Sequence, residues 1–168
     1  AEQVLGKPMF SYEYNKNRSA NSVNFELSNN KPRLNLPRVV VLTTEQTASS
    51  SELVINALKP HIDVQVVGTS TRGKPVGMDI NKLCDHVVFA INFKMVNSEG
   101  YGDYFNGLPA DCYAEDTINV DWGDTKDPLL NEAIYLLTNN SCSTSQSAQL
   151  QKQKSFKNNF GLIAKNTI

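Results

Sequence analysis

The chain has 168 residues, 40% of them hydrophobic and 20% charged, enough for one domain with a real core and too apolar for wholesale disorder. Sixteen Lys and Arg against seventeen Asp and Glu leave a formal net charge of -1, a balance that argues against an electrostatic nucleic-acid binder. No apolar run approaches a membrane span and no signal peptide is visible, while the opening on Ala1 leads us to expect a processed or trimmed N-terminus.

Residues 1–30 alternate polar and apolar positions through Met9, Tyr12, Tyr14, Val23, Phe25 and Leu27, with an Asn/Ser-rich break at Asn15–Ser22. This pattern predicts an exposed β-hairpin or two edge strands, followed by a loop at Asn29–Pro32. Arg38–Thr43 is a β-branched run of the kind covered on both faces. Residues 50–59 predict a helix whose inward face is Leu53, Val54, Ala57 and Leu58, ended by Pro60. Ser49 and Glu52 have capping-box spacing at its start. Asp63–Val67 predicts a second buried strand, so strand, helix and strand form a parallel unit with a right-handed crossover.

After Gly68 the chain loops through Thr69–Gly73, and Val87–Val96 predicts a third strong strand. Asn97–Asp116 reads as loop with short strand pieces. Asp127 and Pro128 open a last helix with Leu130, Ala133, Ile134 and Leu137 inward, ended by Asn139 and Asn140. The fold class expected is α/β, a mixed sheet containing one parallel strand–helix–strand unit. Residues 1–140 form its body, and 141–168 a polar, mobile tail in which Phe156, Phe160, Leu162 and Ile163 could dock. There is no internal repeat.

Three cysteines, Cys84, Cys112 and Cys142, leave at least one unpaired within the chain and show no metal-ligand spacing. Cys84 and Cys112 flank the third strand and its following loop, so a Cys84–Cys112 disulfide is one reading and three reduced thiols the other. His61 and His86 read as structural, at a helix end and a strand start. Asp121, Asp124 and Asp127 lack the Gly and terminal Glu of a calcium loop and read as turn and cap residues, with Trp122 packing beside them. The stretch Asn97–Gly107, which contains Gly100, Tyr101, Gly102, Asp103, Tyr104 and Phe105, reads first as surface loop and second as a substrate-lining one.

The chemistry concentrates in Thr47-Ala48-Ser49-Ser50-Ser51-Glu52 and Thr71-Arg72-Gly73-Lys74. Three serines lie where a buried strand turns into a helix, whose free N–H groups and dipole favour a developing oxyanion. Taken alone they cap the helix. Lys74 adds a second group, because loops after neighbouring parallel strands converge on one crevice. A free lysine, with a pKa of ~10.4, is a poor base at neutral pH. Burial disfavours the ammonium and makes the amine available to take a serine proton.

These residues resemble the signature of the carboxyl-terminal processing, or tail-specific, proteases. That signature is of the form Ser-Ala-Ser-Ala-Ser-Glu, then helix, strand and Gly-Lys. The resemblance covers roughly residues 36–140 and weakens beyond Met78. It puts the nucleophile on Ser49, three before Glu52, and the general base on Lys74, 25 residues later. It puts an oxyanion-binding backbone N–H on Ser50, leaves Glu52 to capping and helix packing, and makes Thr47, Gly73 and Met78 site-supporting. The implied fold is the ClpP/crotonase-like core of that family, with no metal or cofactor. The partner is a protein or peptide substrate and not nucleic acid, and the placement is the cell envelope or periplasm, lipoprotein-anchored in the full-length protein.

Three departures go with the resemblance. Met78 stands where many members carry a lysine-orienting glutamine, and Pro60 where some carry an aspartate. No glycine-rich turn precedes Ser49 to give the second oxyanion N–H, and no PDZ-type domain is present. The chain is therefore expected to be the C-terminal part of a longer protease, weakly active or inactive alone, since one oxyanion donor is worth ~2.7–4 kcal/mol in the transition state. It could form a homo-oligomer or pair with the remainder of the protease. Two rivals share the fold: a retinoid-binding-like module and a pseudoprotease that binds peptides.

Overall fold

The computed structural model describes residues 4–26 and 34–143. Leu27, the Asn29–Pro32 loop and the tail positions Phe156, Phe160, Leu162 and Ile163 lie outside the described residues. Seven strands and two helices follow in the order β1 (Pro8–Tyr14), β2 (Asn21–Asn24), β3 (Arg38–Thr43), α1 (Ser50–Leu58), β4 (Asp63–Gly68), β5 (Val76–Leu83), β6 (His86–Asn97), β7 (Cys112–Tyr113) and α2 (Pro128–Asn139) among the described residues.

The α/β class holds, with the strands divided between two sheets. One sheet has the order β2-β1-β6-β5 and the other β3-β4-β7. In the first, β1 and β2 form the expected hairpin, but β1 is interior, pairing antiparallel with β6 from Phe10↔Asn97 to Tyr14↔Phe93. In the second, β4 pairs parallel with β7 through Val67↔Cys112 and Gly68↔Tyr113. The hydrogen bonds Asp63 N to Pro37 O (3.1 Å) and Thr69 N to Thr43 O (3.1 Å) keep one constant offset between β3 and β4. The predicted parallel β3–α1–β4 unit is thus present.

The chain divides into two compact units. Among the described residues, one comprises those up to Val39 with Thr47–Val64 and Arg72–Leu108; the other comprises Val40–Gln46, Gln65–Thr71 and those from Pro109. In the first, α1 lies against β6 and β1, and Asn56 pins it there. The Asn56 side chain donates to Tyr101 O (2.8 Å), and Asn97 Nδ2 donates to Asn56 O (3.3 Å) and Oδ1 (3.2 Å). In the second, Val67, Cys112, Ala114, Leu129, Ala133 and Leu136 form a buried cluster with Val40 and Cys142 against it.

Both helices are turned relative to the faces expected from apolar spacing. In α1 the buried residues are Glu52, Ile55, Asn56 and Ala57, while Val54 is 56% exposed. In α2 they are Leu129, Glu132, Ala133 and Leu136, with Ile134 and Leu137 exposed. The cause is the same in each. A polar side chain with satisfied hydrogen bonds occupies the inward stripe, as buried polar groups must: Glu52 and Asn56 in α1, and Glu132 in α2, which accepts from Ser143 N (2.9 Å) and Ser143 Oγ. Asp127 caps α2 as expected, accepting from Leu129 N (2.7 Å) and Leu130 N (3.2 Å).

β5 has no counterpart in the sequence reading. It pairs antiparallel with β6 from Val76↔Lys94 to Leu83↔His86 around a tight turn at Cys84 and Asp85. Since β1 meets β6 only up to Phe93, the distal part is a two-stranded ribbon. Met78 with Ile91, Ile80 with Phe89, and Lys82 with Val87 are cross-strand partners on it. Such ribbons take their stability from cross-strand pairs rather than a core.

Two tyrosines give the fold an alkaline limit. Burial, then the negative charges of Glu52 and Tyr101, push the Tyr104 hydroxyl up to about 12. Burial, the hydrogen bond to Glu115 and the charges of Glu115 and Glu45 push Tyr113 up to about 12. A folded value above the unfolded value of ~10 means stability that is full below pH ~10 and lost as pH rises toward 12. We expect Tyr104 and Tyr113 to ionise late in a phenolate absorbance titration, with unfolding accompanying them. The Tyr104 hydroxyl is buried without a partner among the described residues, so Tyr104→Phe should remove one late step without loss of stability. A single step near the ordinary tyrosine value with the fold intact would contradict this.

Candidate active site

The first chemistry-bearing segment follows β3. Ser49 is the N-cap of α1, with φ 57° and ψ -119°. An N-cap residue usually sits in the extended region, and a non-glycine residue held in such a sparsely populated region costs roughly 1–3 kcal/mol. Sharp strand-to-helix turns that present a nucleophilic serine carry this kind of strain. Ser49 is half-buried and Ser50 exposed. The Leu53 N–H closes the first helical turn on Ser49 O (2.9 Å), and no backbone acceptor among the described residues takes the Ser50 N–H. A free N–H at a helix start is what an oxyanion site requires.

The second segment, Arg72–Lys74, lies between β4 and β5 and is joined to the first by backbone hydrogen bonds. Arg72 N donates to Thr47 O (2.9 Å). Glu52 does the rest. Its carboxylate is fully buried, and Oε2 accepts from Ser49 N (2.9 Å) and Lys74 N (2.8 Å) while Oε1 accepts from Gly73 N (2.7 Å). Two amides on one oxygen lie within the sum of those two distances of each other, so the backbones of Ser49 and Lys74 are neighbours. Gly73 has φ +85°, and a Cβ there would meet Phe105 O at 2.3 Å and Gly107 N at 2.5 Å. Only glycine permits both the left-handed turn and the close approach of the 105–107 backbone.

By sequence Glu52 belongs to capping and helix packing. The capping arm is present in the Ser49 N–H bond, but the two bonds to Gly73 and Lys74 are a tertiary role that capping-box spacing does not reveal. A charged side chain on the inward face of a helix was the available signal. Met78 lies four residues beyond Lys74 on β5, in register with Ile91 and 38% exposed.

The remaining candidates separate from this site. Cys112 is bonded to Cys142 (S–S 2.01 Å), and Cys84 is free and exposed at the ribbon turn. This corrects the Cys84–Cys112 pairing: Cys112 leads into the buried cluster beside α2, and Cys142 follows that helix. The bond also ties down the first residues of the stretch read as a mobile tail. Cys112, Glu132 and Cys142 bring potential metal-ligand atoms within 4.8 Å of one another, the one such group among the described residues, but the two sulfurs are bonded to each other. Trp122, expected to pack, is fully exposed. His61 stacks edge-on against Phe25 (4.9 Å) and meets Ser98 Oγ (3.3 Å). His86 opens β6 opposite Leu83. In the 100–105 stretch Tyr104 is core, whereas Tyr101 and Phe105 are exposed.

The structure thus brings a strained serine at a strand-to-helix turn together with a Gly-Lys segment on an α/β frame. The model of peptidase family S41 matches residues 1–114, and the chain belongs to that family. No curated protein matches the sequence significantly. Among solved structures, a candidate S41 protease from Bacteroides fragilis NCTC 9343 superposes with a TM-score of 0.75 at 23% identity, over 83% of this chain and 39% of that one. A lipoprotein from Streptococcus agalactiae superposes at 0.54 and 18% identity, over 80% of this chain and 46% of that one. A photosystem II D1 C-terminal processing protease reaches 0.47 at 21% identity, over 67% of this chain and 29% of that one. The chain thus spans less than half the length of each of these structures.

Proposed function

We propose that this chain carries the nucleophile and general base of a serine endopeptidase that cleaves proteins near their C-termini. The observation that carries the reading is the backbone of Ser49, at φ 57° and ψ -119°, held in hydrogen-bond contact with the same carboxylate as Lys74. Strain of this kind persists only where the surroundings over-determine it, and it clusters at active sites. In the proposed reaction Ser49 Oγ attacks the scissile carbonyl carbon and its proton passes to Lys74 Nζ. The Ser50 N–H receives the developing oxyanion. Lys74 returns the proton to the leaving amine, an acyl-Ser49 ester remains, and water activated by Lys74 releases it.

The full-length protein is the acting species in this proposal, with a protein or peptide as substrate, and a homo-oligomer is one form it could take. Envelope placement is part of the same reading, supported by the similarity to a protein described as a lipoprotein. The test is covalent labelling of the full-length protein by a fluorophosphonate, compared with Ser49→Ala. Labelling that disappears in the variant is expected. Equal labelling of both would remove Ser49 as the nucleophile, and absence of labelling in both would favour the non-catalytic ligand- or peptide-binding reading.

A further inference from the structure

We infer that Glu52 is the positioning residue of this site: by accepting the N–H groups of Ser49, Gly73 and Lys74 its buried carboxylate fixes the separation between nucleophile and base. The catalytic half of the inference rests on the Ser49/Lys74 reading; the clamp itself rests on the hydrogen bonds.

Ser49 and Lys74 lie 25 residues apart, so no local geometry sets their spacing. A serine side chain is short, and its hydroxyl goes where its backbone goes. A lysine side chain is long, and its amine is confined only if its Cα is. Both anchors are the amides that Glu52 Oε2 accepts, at 2.9 and 2.8 Å. Oε1 accepts Gly73 N at 2.7 Å, fixing the residue that aims Lys74. A helix cap needs only the Ser49 bond. The other two come from a segment to which the helix owes nothing, and they convert a cap into a link between two loops.

The donor set also explains why the group is a carboxylate. Three N–H groups converge on two oxygens with no donor of their own, and a buried carboxylate needs such charge-assisted bonds to be tolerated. An amide at this place can keep either the Oε1 bond or the two Oε2 bonds, never all three, because its NH2 would face a backbone N–H. Aspartate keeps the charge and loses the reach. Misplacement of reacting groups by about 1 Å costs on the order of 100-fold in rate, which is the scale expected here.

The test uses the full-length protein with Glu52→Gln, Glu52→Asp and Glu52→Ala, each read two ways. Residue-resolved amide hydrogen exchange should show the Ser49, Gly73 and Lys74 amides losing at least about tenfold protection in Glu52→Ala, with β1 and β6 amides unchanged, since an amide freed from its acceptor exchanges through local opening. Phosphonylation by a fluorophosphonate, in which Ser49 Oγ bonds to phosphorus and fluoride leaves, should slow about 100-fold in Glu52→Ala through the chemical step rather than probe affinity, with Glu52→Gln intermediate and Glu52→Asp near alanine. If Glu52→Ala does not fold, the same two readouts on Glu52→Gln decide. Unchanged protection at Gly73 and Lys74, or phosphonylation at the wild-type rate in a folded variant, overturns the inference. Failure of wild-type protein to be phosphonylated removes the dyad and the catalytic duty of Glu52 together, while the exchange result still judges the clamp on its own.

Discussion

Lys74→Ala in the full-length protein is expected to reduce peptidase turnover at least about 1,000-fold while leaving the fold nearly intact. The loss follows from the role proposed for the amine. Positioned acid–base groups contribute about 10²–10⁴-fold, and the serine hydroxyl is a weak nucleophile without its base. The folding half follows from the geometry. What Lys74 gives to the fold is its backbone N–H, bonded to Glu52 Oε2 at 2.8 Å, and alanine supplies the same N–H. Turnover on a peptide substrate and a denaturation midpoint, measured on one preparation, check both parts. Turnover at the wild-type rate would reject the general-base role, and a collapsed midpoint would show that the side chain is structural.

Reduction of the Cys112–Cys142 bond is the second large effect. The pair closes a loop of sequence separation 30, for which constraint of the unfolded chain stabilises by about 3–4 kcal/mol. Cys112 is fully buried in the cluster with Val67, Leu129, Ala133 and Leu136, so a reduced thiol there stays in the core while the cross-link is gone. A strong dithiol, or Cys142→Ser, should lower the denaturant midpoint by the equivalent of that energy. Thiol counting should find one reactive group in the native oxidised protein, Cys84, and three after reduction in denaturant. An unchanged midpoint after complete reduction would show that the bond constrains little.

What was legible in the chain is what lies close together along it. The β-branched run Arg38–Thr43, the helix behind Ser49 and the run at Asp63 announce β3–α1–β4 because strand and helix periods are local signals. The serine and Gly-Lys segments could be picked out by residue type and spacing. The ribbon was half legible. β6 is a long apolar run, but Val76–Leu83 alternates weakly and carries Asp79, Asn81 and Lys82, and only its pairing with β6 makes it a strand. The helix faces turned because Glu52, Asn56 and Glu132 are buried with partners distant in sequence, which hydrophobic counting cannot foresee. Cysteine pairing is a fact of three dimensions, and three cysteines permit several outcomes. Trp122 sits in a turn whose neighbours give it nothing to pack on. The sequence pointed to Ser49 and Lys74 and left open what would hold their backbones together.

The shared oxygen of Glu52 has a consequence for how the site is assembled. The unusual backbone of Ser49 is held partly by a bond to an atom that also serves Lys74. Releasing the 72–74 loop leaves a buried carboxylate short of donors, and that deficit destabilises the serine turn as well. The hydrogen bonds thus couple the order of the two loops, so that local opening of one is expected to favour opening of the other.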